Sequence, residues 1–264
     1  MFPNLIDIGF LHLKTYGACM AIGFILCWTL IERLSGRKDL SSLLMSLMIS
    51  GIVGSRIAYV IEHWQAEFAA HPAAIIRVDQ GGLMFYGGLI LAILIFIAWC
   101  IFKKENPLKL ADLLATVVPL GHACGRIGCF FYGCCYGKLS TSPLAVAFPR
   151  HSPAWYEQFQ AGQISAAATS ALPVLPTQLF EAAALLLLFA LLMLLRKRLA
   201  ARPGSIVGAY LVGYAILRFA MEYLRGDPRA AVGPFSISQT ISIFMILLGG
   251  GLLAYGQKRA HLHR

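Results

Sequence analysis

Long apolar runs alternate with short polar connections along the chain. A helix needs roughly 20 mostly apolar residues to cross the hydrocarbon core of a bilayer. The pattern therefore predicts seven transmembrane helices, and the predicted fold class is an all-α integral membrane protein that forms a single transmembrane domain. The predicted spans cover about residues 16–32, 40–62, 82–102, 110–128, 177–195, 204–224 and 237–256.

The composition excludes a soluble domain of this length, because 58% of the residues are hydrophobic and only 13% are charged. Lysine and arginine concentrate in cytoplasmic loops near span ends, and here they cluster after spans 1, 3 and 5 and in the C-terminal tail. We therefore expect the N-terminus outside and the C-terminus in the cytoplasm. Topology then accounts for most of the net charge of +10, and no nucleic-acid partner is expected.

The longest polar connection covers residues 138–175, between spans 4 and 5, and is rich in proline, serine and alanine. Ser152 followed by Pro153 is typical of a helix start, with serine as N-cap and proline at the first helical position. The residues AWYEQFQ that follow predict a short amphipathic helix. We expect this segment to form a small extracytoplasmic cap domain.

Charged residues near the outer ends of the spans are the first candidates for function. Arg218, Glu222 and Arg225 are spaced i, i+4 and i+7, so a continuous helix would place the acid between two bases on one face. An arginine within a span costs about 2.5–3.5 kcal/mol, and a neighbouring carboxylate offsets part of this. The alternatives are a self-paired ion cluster and an anion-binding face. The surplus positive charge favours the second.

Two further arginines lie at comparable depth, Arg56 in span 2 and Arg126 in span 4. Either could snorkel toward lipid phosphates. Glycines around Arg126 allow close helix approach and favour a guanidinium held inside the bundle. Glu181, near the start of span 5, is costly within a membrane unless paired, so we expect an arginine partner.

Two glycine pairs flank Phe85 and Tyr86 at the start of span 3, in the motif QGGLMFYGGL. Paired glycines either permit tight packing or expose backbone amides to an anion at a helix N-terminus, and the sequence leaves both open. The Tyr86 hydroxyl could donate a hydrogen bond or transfer a proton. Tyr16, at the outer start of span 1, is typical of an aromatic-belt residue.

Four cysteines lie in or just after span 4, close to His122. Their spacing matches no common metal-ligand pattern, so no metal is expected, and small packing residues are the leading interpretation. A disulfide or redox pair is the alternative. The cysteines are Cys124, Cys129, Cys134 and Cys135.

Several arginines, a glutamate and a tyrosine thus converge at the outer leaflet, which indicates a site for an anionic phospholipid headgroup. The motifs that carry them jointly resemble the bacterial phosphatidylglycerol–prolipoprotein diacylglyceryl transferase family over nearly the whole chain. These motifs are the Tyr16-Gly17 pair, GSRIAYV, QGGLMFYGGL, GRIGCFFYGCCYG, PTQLFE and RFAMEYLR.

The resemblance implies transfer of a diacylglyceryl group from phosphatidylglycerol to the lipobox cysteine thiol of a preprolipoprotein. Glycerol phosphate leaves, and the reaction is the first step of lipoprotein maturation. The resemblance also implies a multi-pass protein of the bacterial inner membrane, surrounded by membrane lipid, monomeric and without cofactor or metal.

The resemblance further implies roles for individual residues. Arg126 falls on the family's signature arginine and Arg218 on a second essential arginine, and Tyr86 is the third catalytic candidate. Fixed guanidiniums suit this chemistry, because negative charge develops on the leaving phosphate. The candidates for substrate or lipid binding are Tyr16, Arg56, Gly87, Gly88, Gly137, Gln178, Glu181, Glu222 and Arg225.

Three positions depart from the family's pattern. Tyr86 stands where the family often has histidine, and Cys129 and Cys134 replace the usual asparagine and acid. Tyrosine, with an ordinary pKa of about 10, is a poor base at neutral pH. We favour an active transferase whose arginines lower the pKa of the acceptor thiol. The alternatives are a paralogue with another acceptor and a non-enzymatic lipid-binding or redox membrane protein.

Overall fold

The computed structural model describes residues 4–8, 11–77, 81–227 and 231–262. Seven helices in these residues are long and apolar enough to cross a membrane, and each predicted span overlaps one of them. The spanning helices are α1 Thr15–Ser35, α2 Leu40–Glu62, α3 Phe85–Lys103, α4 Pro107–Tyr132, α6 Thr177–Leu199, α7 Ser205–Glu222 and α8 Ile237–Leu262.

Shorter elements complete the fold. Helix α5 covers Pro153–Gln160, and two antiparallel hairpins pair β1 (Asn4–Ile8) with β2 (Leu11–Lys14) and β3 (Ala231–Val232) with β4 (Phe235–Ser236). The chain forms two compact units. One contains residues 32–110, and the other contains residues 1–31 with 111–264.

Glycines control the packing of α2 against α3 in the unit of residues 32–110. A Cβ atom on Gly87 would collide with the Ala58 side chain and the Gly54 carbonyl, and one on Gly88 would collide with the Ser55 hydroxyl. Backbones can approach this closely only where side chains are absent. The structure therefore uses Gly87 and Gly88 for packing, one of the two alternatives that the sequence left open.

Helix α4 starts with a side-chain cap and, further along, packs closely against α1. Its first turn is capped by Asn106, whose side-chain oxygen accepts from the Leu108 and Lys109 amides at 3.0 and 3.1 Å. Close approach to α1 is confirmed, because a Cβ atom on Gly128 would lie 3.0 Å from the Tyr16 ring.

An acidic side chain on α4 fixes the start of α7. The two carboxylate oxygens of Asp112 accept from the backbone amides of Gly204 at 2.7 Å and Val207 at 2.9 Å. A carboxylate at a helix N-terminus satisfies otherwise unpaired amides and complements the helix dipole. This link fixes the register of α7, which carries Arg218, relative to α4, which carries Arg126.

The connection between α4 and α6 has a small apolar core of its own. Its predicted short helix is confirmed as α5, and the Ser152 hydroxyl accepts from the Trp155 amide at 3.2 Å as the expected N-cap. The assignment of this segment as an extracytoplasmic cap remains a prediction. The buried core consists of Tyr136, Phe148, Ala154, Trp155, Ala171 and Val174.

Candidate active site

Two arginine–glutamate pairs with little solvent exposure lie within the larger unit. Arg126 Nη2 on α4 lies 3.1 Å from Glu181 Oε1 on α6, and the Glu181 side chain is completely buried. Arg218 Nη2 lies 2.8 Å from Glu222 Oε2, four residues later on α7. The arginine partner expected for Glu181 is confirmed.

Both pairs contain buried donors and acceptors that make no hydrogen bond. Arg126 Nε and Arg218 Nη1 are buried N–H groups without a hydrogen-bond partner, and the carboxylate oxygens of Glu181 and Glu222 are also unsatisfied. The charges are within ion-pair distance but are not aligned for hydrogen bonds. An unsatisfied buried polar group costs about 1–3 kcal/mol. The site is therefore prepared for a ligand that offers both acceptors and donors.

The two pairs share aromatic neighbours that the sequence interpretation did not include in the site. The rings of His122 and Tyr214 contact each other at a tilt of 54°, with centroids 5.0 Å apart, and each interacts electrostatically with both Arg126 and Arg218. A helical spacing was the available signal: His122 precedes Arg126 by four residues, and Tyr214 precedes Arg218 by four. Both rings therefore lie on the faces that carry the arginines.

Arg225 has a different partner from the one expected. Helix α7 ends at Glu222, so the i, i+4, i+7 face does not extend to Arg225. Instead, Arg225 donates from Nε and Nη2 to both carboxylate oxygens of Asp227, each at 2.7 Å. The expectation that Glu222 lies between two arginines is wrong, and so is the surplus charge that it implied. Unsatisfied N–H groups, not net charge, favour anion binding.

The loop after α4 is held between two other segments of the unit. Gln178 donates to the Cys134 carbonyl at 2.7 Å, and Thr177 donates to the Cys135 carbonyl at 2.9 Å. The Gly137 amide donates to the Leu175 carbonyl at 2.8 Å. The structure therefore gives Gln178 and Gly137, two predicted binding residues, a part in shaping this loop.

Gly137 also forms a bridge with Arg225. A Cβ atom on Gly226 would collide with the Gly137 carbonyl, so the two backbones touch here. Arg225, the third predicted binding residue in this region, is thereby fixed next to the loop.

Tyr16 borders the same region. It interacts electrostatically with Arg126 and with the thiols of Cys129, Cys134 and Cys135. Its side chain is 41% exposed, so it lies at the boundary of the buried site. This position is compatible with the predicted lipid contact, which stays a prediction.

Arg56 belongs to the unit of residues 32–110, where it holds a loop together. Its guanidinium donates to the carbonyls of Ala74 at 2.7 Å, Ile75 at 2.8 Å, Gly81 at 3.0 Å and Gly82 at 3.1 Å. Four carbonyl partners leave Arg56 little capacity for a phosphate. Its predicted lipid contact is untested, and loop organisation is the role visible in the structure.

Tyr86 is the second residue of α3 and is 54% exposed. Its ring packs edge to face with that of Phe85, and the two ring centroids are 5.6 Å apart. Gln80, the first residue of the motif that contains Tyr86, lies outside the described residues. The catalytic role of Tyr86 stays a prediction.

The arrangement in the larger unit can bind a headgroup that combines an anion with hydroxyl groups. The arginine N–H groups would donate to the anion, and the glutamate oxygens would accept from hydroxyls. Burial strengthens these interactions, because the local dielectric constant is low.

Comparison with known proteins agrees with this geometry. Residues 3–255 match the family described as prolipoprotein diacylglyceryl transferase. The chain is 35% identical to phosphatidylglycerol–prolipoprotein diacylglyceryl transferase 2 of Clostridium perfringens, covering 93% of this chain and 91% of that protein. Identity to the transferase of Pseudoalteromonas translucida is 34%, covering 98% and 94% of the two chains. The chain belongs to the prolipoprotein diacylglyceryl transferase family of membrane enzymes.

Proposed function

We propose that this chain transfers the diacylglyceryl group of phosphatidylglycerol to the lipobox cysteine thiol of a preprolipoprotein, releasing glycerol phosphate. One observation carries the proposal for the lipid substrate: unsatisfied donors on Arg126 and Arg218 lie beside unsatisfied acceptors on Glu181 and Glu222. A phosphatidylglycerol headgroup has the complementary set, because its phosphate accepts hydrogen bonds and its glycerol hydroxyls donate them.

The same residues suit the bond that must break. The acceptor sulfur, as thiolate, attacks the diacylglycerol carbon that bears the phosphate. The new C–S bond replaces the C–O bond, whose electron pair stays on the departing glycerol phosphate. Arg126 and Arg218 then face a growing negative charge, and preorganised donors at such a position contribute about 10²–10³ in rate each.

The membrane setting completes the proposal. Seven apolar helices make this a multi-pass membrane protein, and we assign it to the bacterial inner membrane with the N-terminus outside. The distribution of lysine and arginine supports this orientation. The protein is proposed to act as a monomer and to meet both substrates from the membrane.

The test is a reconstituted reaction with purified protein, phosphatidylglycerol and a synthetic lipobox peptide. The expected products are the S-diacylglyceryl peptide, detected by mass spectrometry, and an equimolar amount of glycerol phosphate. A peptide with serine in place of the lipobox cysteine is the control and should give neither product.

Two outcomes would contradict the proposal. No product with any phosphatidylglycerol would exclude the reaction. Release of glycerol phosphate without a peptide thioether would instead indicate a paralogue that uses a different acceptor.

A further inference from the structure

Three thiols converge just beyond the end of α4. The Sγ atoms of Cys129, Cys134 and Cys135 all lie within 4.8 Å of one another. All three cysteines are free and partly exposed, so a reagent from the surrounding solution can reach them. The proposed transfer reaction uses none of these thiols, and the cluster is therefore available for a separate role.

The backbone, rather than chance side-chain packing, brings these thiols together. Cys129 lies in the last turn of α4, and the chain then reverses at Gly133, where φ is 85°. Cys135 follows at a φ of 63°, a left-handed conformation that is uncommon for residues other than glycine. Hydrogen bonds from Thr177 and Gln178 to the carbonyls of this loop hold it in place. Backbone strain of this kind is concentrated at functional sites.

The positions of the three cysteines limit which disulfide can form. A disulfide joins residues whose Cα atoms are about 4.4–6.8 Å apart. Consecutive residues are only about 3.8 Å apart at Cα, so Cys134 and Cys135 are poorly placed to pair with each other. Cys129, on α4, is therefore the partner for a cysteine of the loop.

Cys135 has the surroundings of an attacking thiol. The thiols of Cys129 and Cys134, followed by the Arg225 guanidinium, lower the pKa of Cys135. Arg126 also interacts electrostatically with Cys135. The thiolate is the form of cysteine that attacks a disulfide. Cys135 is therefore the thiol that reacts first, and Cys129 lies close enough to complete the exchange.

We propose that Cys129 and Cys135 form a redox modification site, at which exchange with an external disulfide joins them and strengthens binding of the lipid headgroup at the arginines. The effect on the lipid rests on the proposed function. In the proposed orientation, the loop after α4 lies on the outer side of the membrane, where oxidising conditions allow disulfides to persist.

The exchange balances as two successive thiol–disulfide steps. The Cys135 thiolate attacks one sulfur of the external disulfide, and the other external sulfur leaves as a thiolate with the electron pair of the broken S–S bond. Cys129 gives its proton to that thiolate, and its sulfur attacks Cys135 Sγ and displaces the second external sulfur. The protein exchanges two thiols for one S–S bond, and the external disulfide is reduced to two thiols.

Charge balance explains why the disulfide favours the lipid. Three arginines of this region face three carboxylates, so these six groups together are neutral. The pairs are Arg126–Glu181, Arg218–Glu222 and Arg225–Asp227. A Cys135 thiolate adds one negative charge near Arg126 and Arg225, and this charge repels a phosphate. A disulfide is uncharged, so its formation removes the competing anion.

Disulfide mapping tests the modification site on the full-length protein without turnover. Purified protein is equilibrated with mixtures of reduced and oxidised glutathione, the remaining thiols are alkylated, and the peptides are identified by mass spectrometry. A Cys129–Cys135 disulfide should form as the oxidised fraction rises, and it should still form in Cys134→Ser. Cys129→Ser should instead trap a mixed disulfide of glutathione with Cys135. Cys100→Ser, which changes a buried cysteine in α3, is the control and should form the bond like the unchanged protein.

Equilibrium binding of a short-chain phosphatidylglycerol tests the consequence for the lipid. The dissociation constant should be about tenfold lower for the oxidised than for the reduced protein, as expected when one unit charge is removed from a partly buried site. Cys135→Ser, which is neutral in both states, should bind the lipid like the oxidised protein. Cys135→Asp, which stays negative in both states, should bind it like the reduced protein.

The inference is overturned if oxidation gives no Cys129–Cys135 bond, or if Cys129→Ser traps glutathione at a cysteine other than Cys135. It is also overturned if oxidised and reduced protein bind the lipid equally, or if Cys135→Asp binds it as tightly as Cys135→Ser. Neither readout needs an acceptor peptide. Lipid binding that follows the disulfide without any thioether product would remove the transferase proposal alone, and normal turnover without the disulfide would remove the redox site alone.

Discussion

Two kinds of arginine occur within the spanning helices that the structure describes, and the difference lies in their partners. Arg56, in the unit of residues 32–110, donates to four backbone carbonyls. Arg126 and Arg218, in the larger unit, each face one carboxylate and retain a buried N–H group without a hydrogen-bond partner. The first guanidinium is nearly satisfied by its own chain, whereas the other two are not.

Structural arginines and candidate ligand-binding arginines differ here in how many of their N–H groups already have an acceptor. Backbone carbonyls carry no formal charge. Arg56 therefore finds acceptors for its N–H groups and holds a loop together without forming an ion pair with an acidic residue. A carboxylate at ion-pair distance balances the positive charge of Arg126 and of Arg218 in an apolar bundle, while one N–H group on each remains available. Position within a span is similar for all three arginines, so depth alone does not distinguish them.

The largest expected effect is on turnover. Arg126→Gln and Arg218→Gln should each lower kcat/KM for phosphatidylglycerol about 10³-fold, because each removes a donor to the developing phosphate charge. Arg56→Gln is the matched control and should lower kcat/KM less than tenfold, while making the chain near its carbonyl partners, Ala74, Ile75, Gly81 and Gly82, more sensitive to protease. Comparable losses in all three variants would remove the distinction.

A second effect concerns the stability of the buried pair. Glu181→Gln should lower the free energy of unfolding by about 3 kcal/mol, because a buried arginine then loses its counter-charge. Glu105→Gln is the matched control, since Glu105 pairs with Arg37 at 2.6 Å on the partly exposed surface. It should cost at most about 1 kcal/mol. If thermal unfolding showed the same loss of stability in both variants, burial would not determine how much these ion pairs contribute.

A smaller effect should follow from crowding the loop that borders the site. Gly226→Ala forces a methyl group against the Gly137 carbonyl and should destabilise the protein by about 2 kcal/mol. Gly250→Ala in α8 meets nothing within 4 Å and should stabilise by about 0.5–1 kcal/mol. Thermal unfolding measures both. An unchanged melting temperature in Gly226→Ala would mean that the segments around Gly137 and Gly226 move apart at little cost.

The fold was predictable because span length and charge distribution act locally along the chain. Each of the seven long helices overlaps a predicted apolar run. The pairing of Glu181 with an arginine also followed from one principle, because an unpaired carboxylate within a membrane is too costly to leave. The identity of that arginine could not be predicted from the sequence, because it depends on how α4 packs against α6.

The site was predictable only in part, because two of its residue groups depend on where a helix ends and on how the chain turns after it. The spacing of Arg218, Glu222 and Arg225 indicates a shared face only if the helix continues, yet α7 stops at Glu222. The convergence of Cys129 with Cys134 and Cys135 depends on left-handed backbone at Gly133 and Cys135, which no residue spacing reveals. His122 and Tyr214, by contrast, were available from a four-residue spacing.

The most direct test of the arginine distinction is ¹⁵N NMR of arginine side chains in nanodiscs, with each Nε–H signal assigned by an arginine-to-lysine variant. Adding phosphatidylglycerol should shift the Arg126 Nε–H signal downfield, because a phosphate oxygen then accepts its hydrogen bond. The Arg56 signal should stay in place, since its Nε already donates to the Ile75 carbonyl. An unmoved Arg126 signal at saturating lipid, or an equal shift at Arg56, would contradict the assignment of Arg126 to the phosphate.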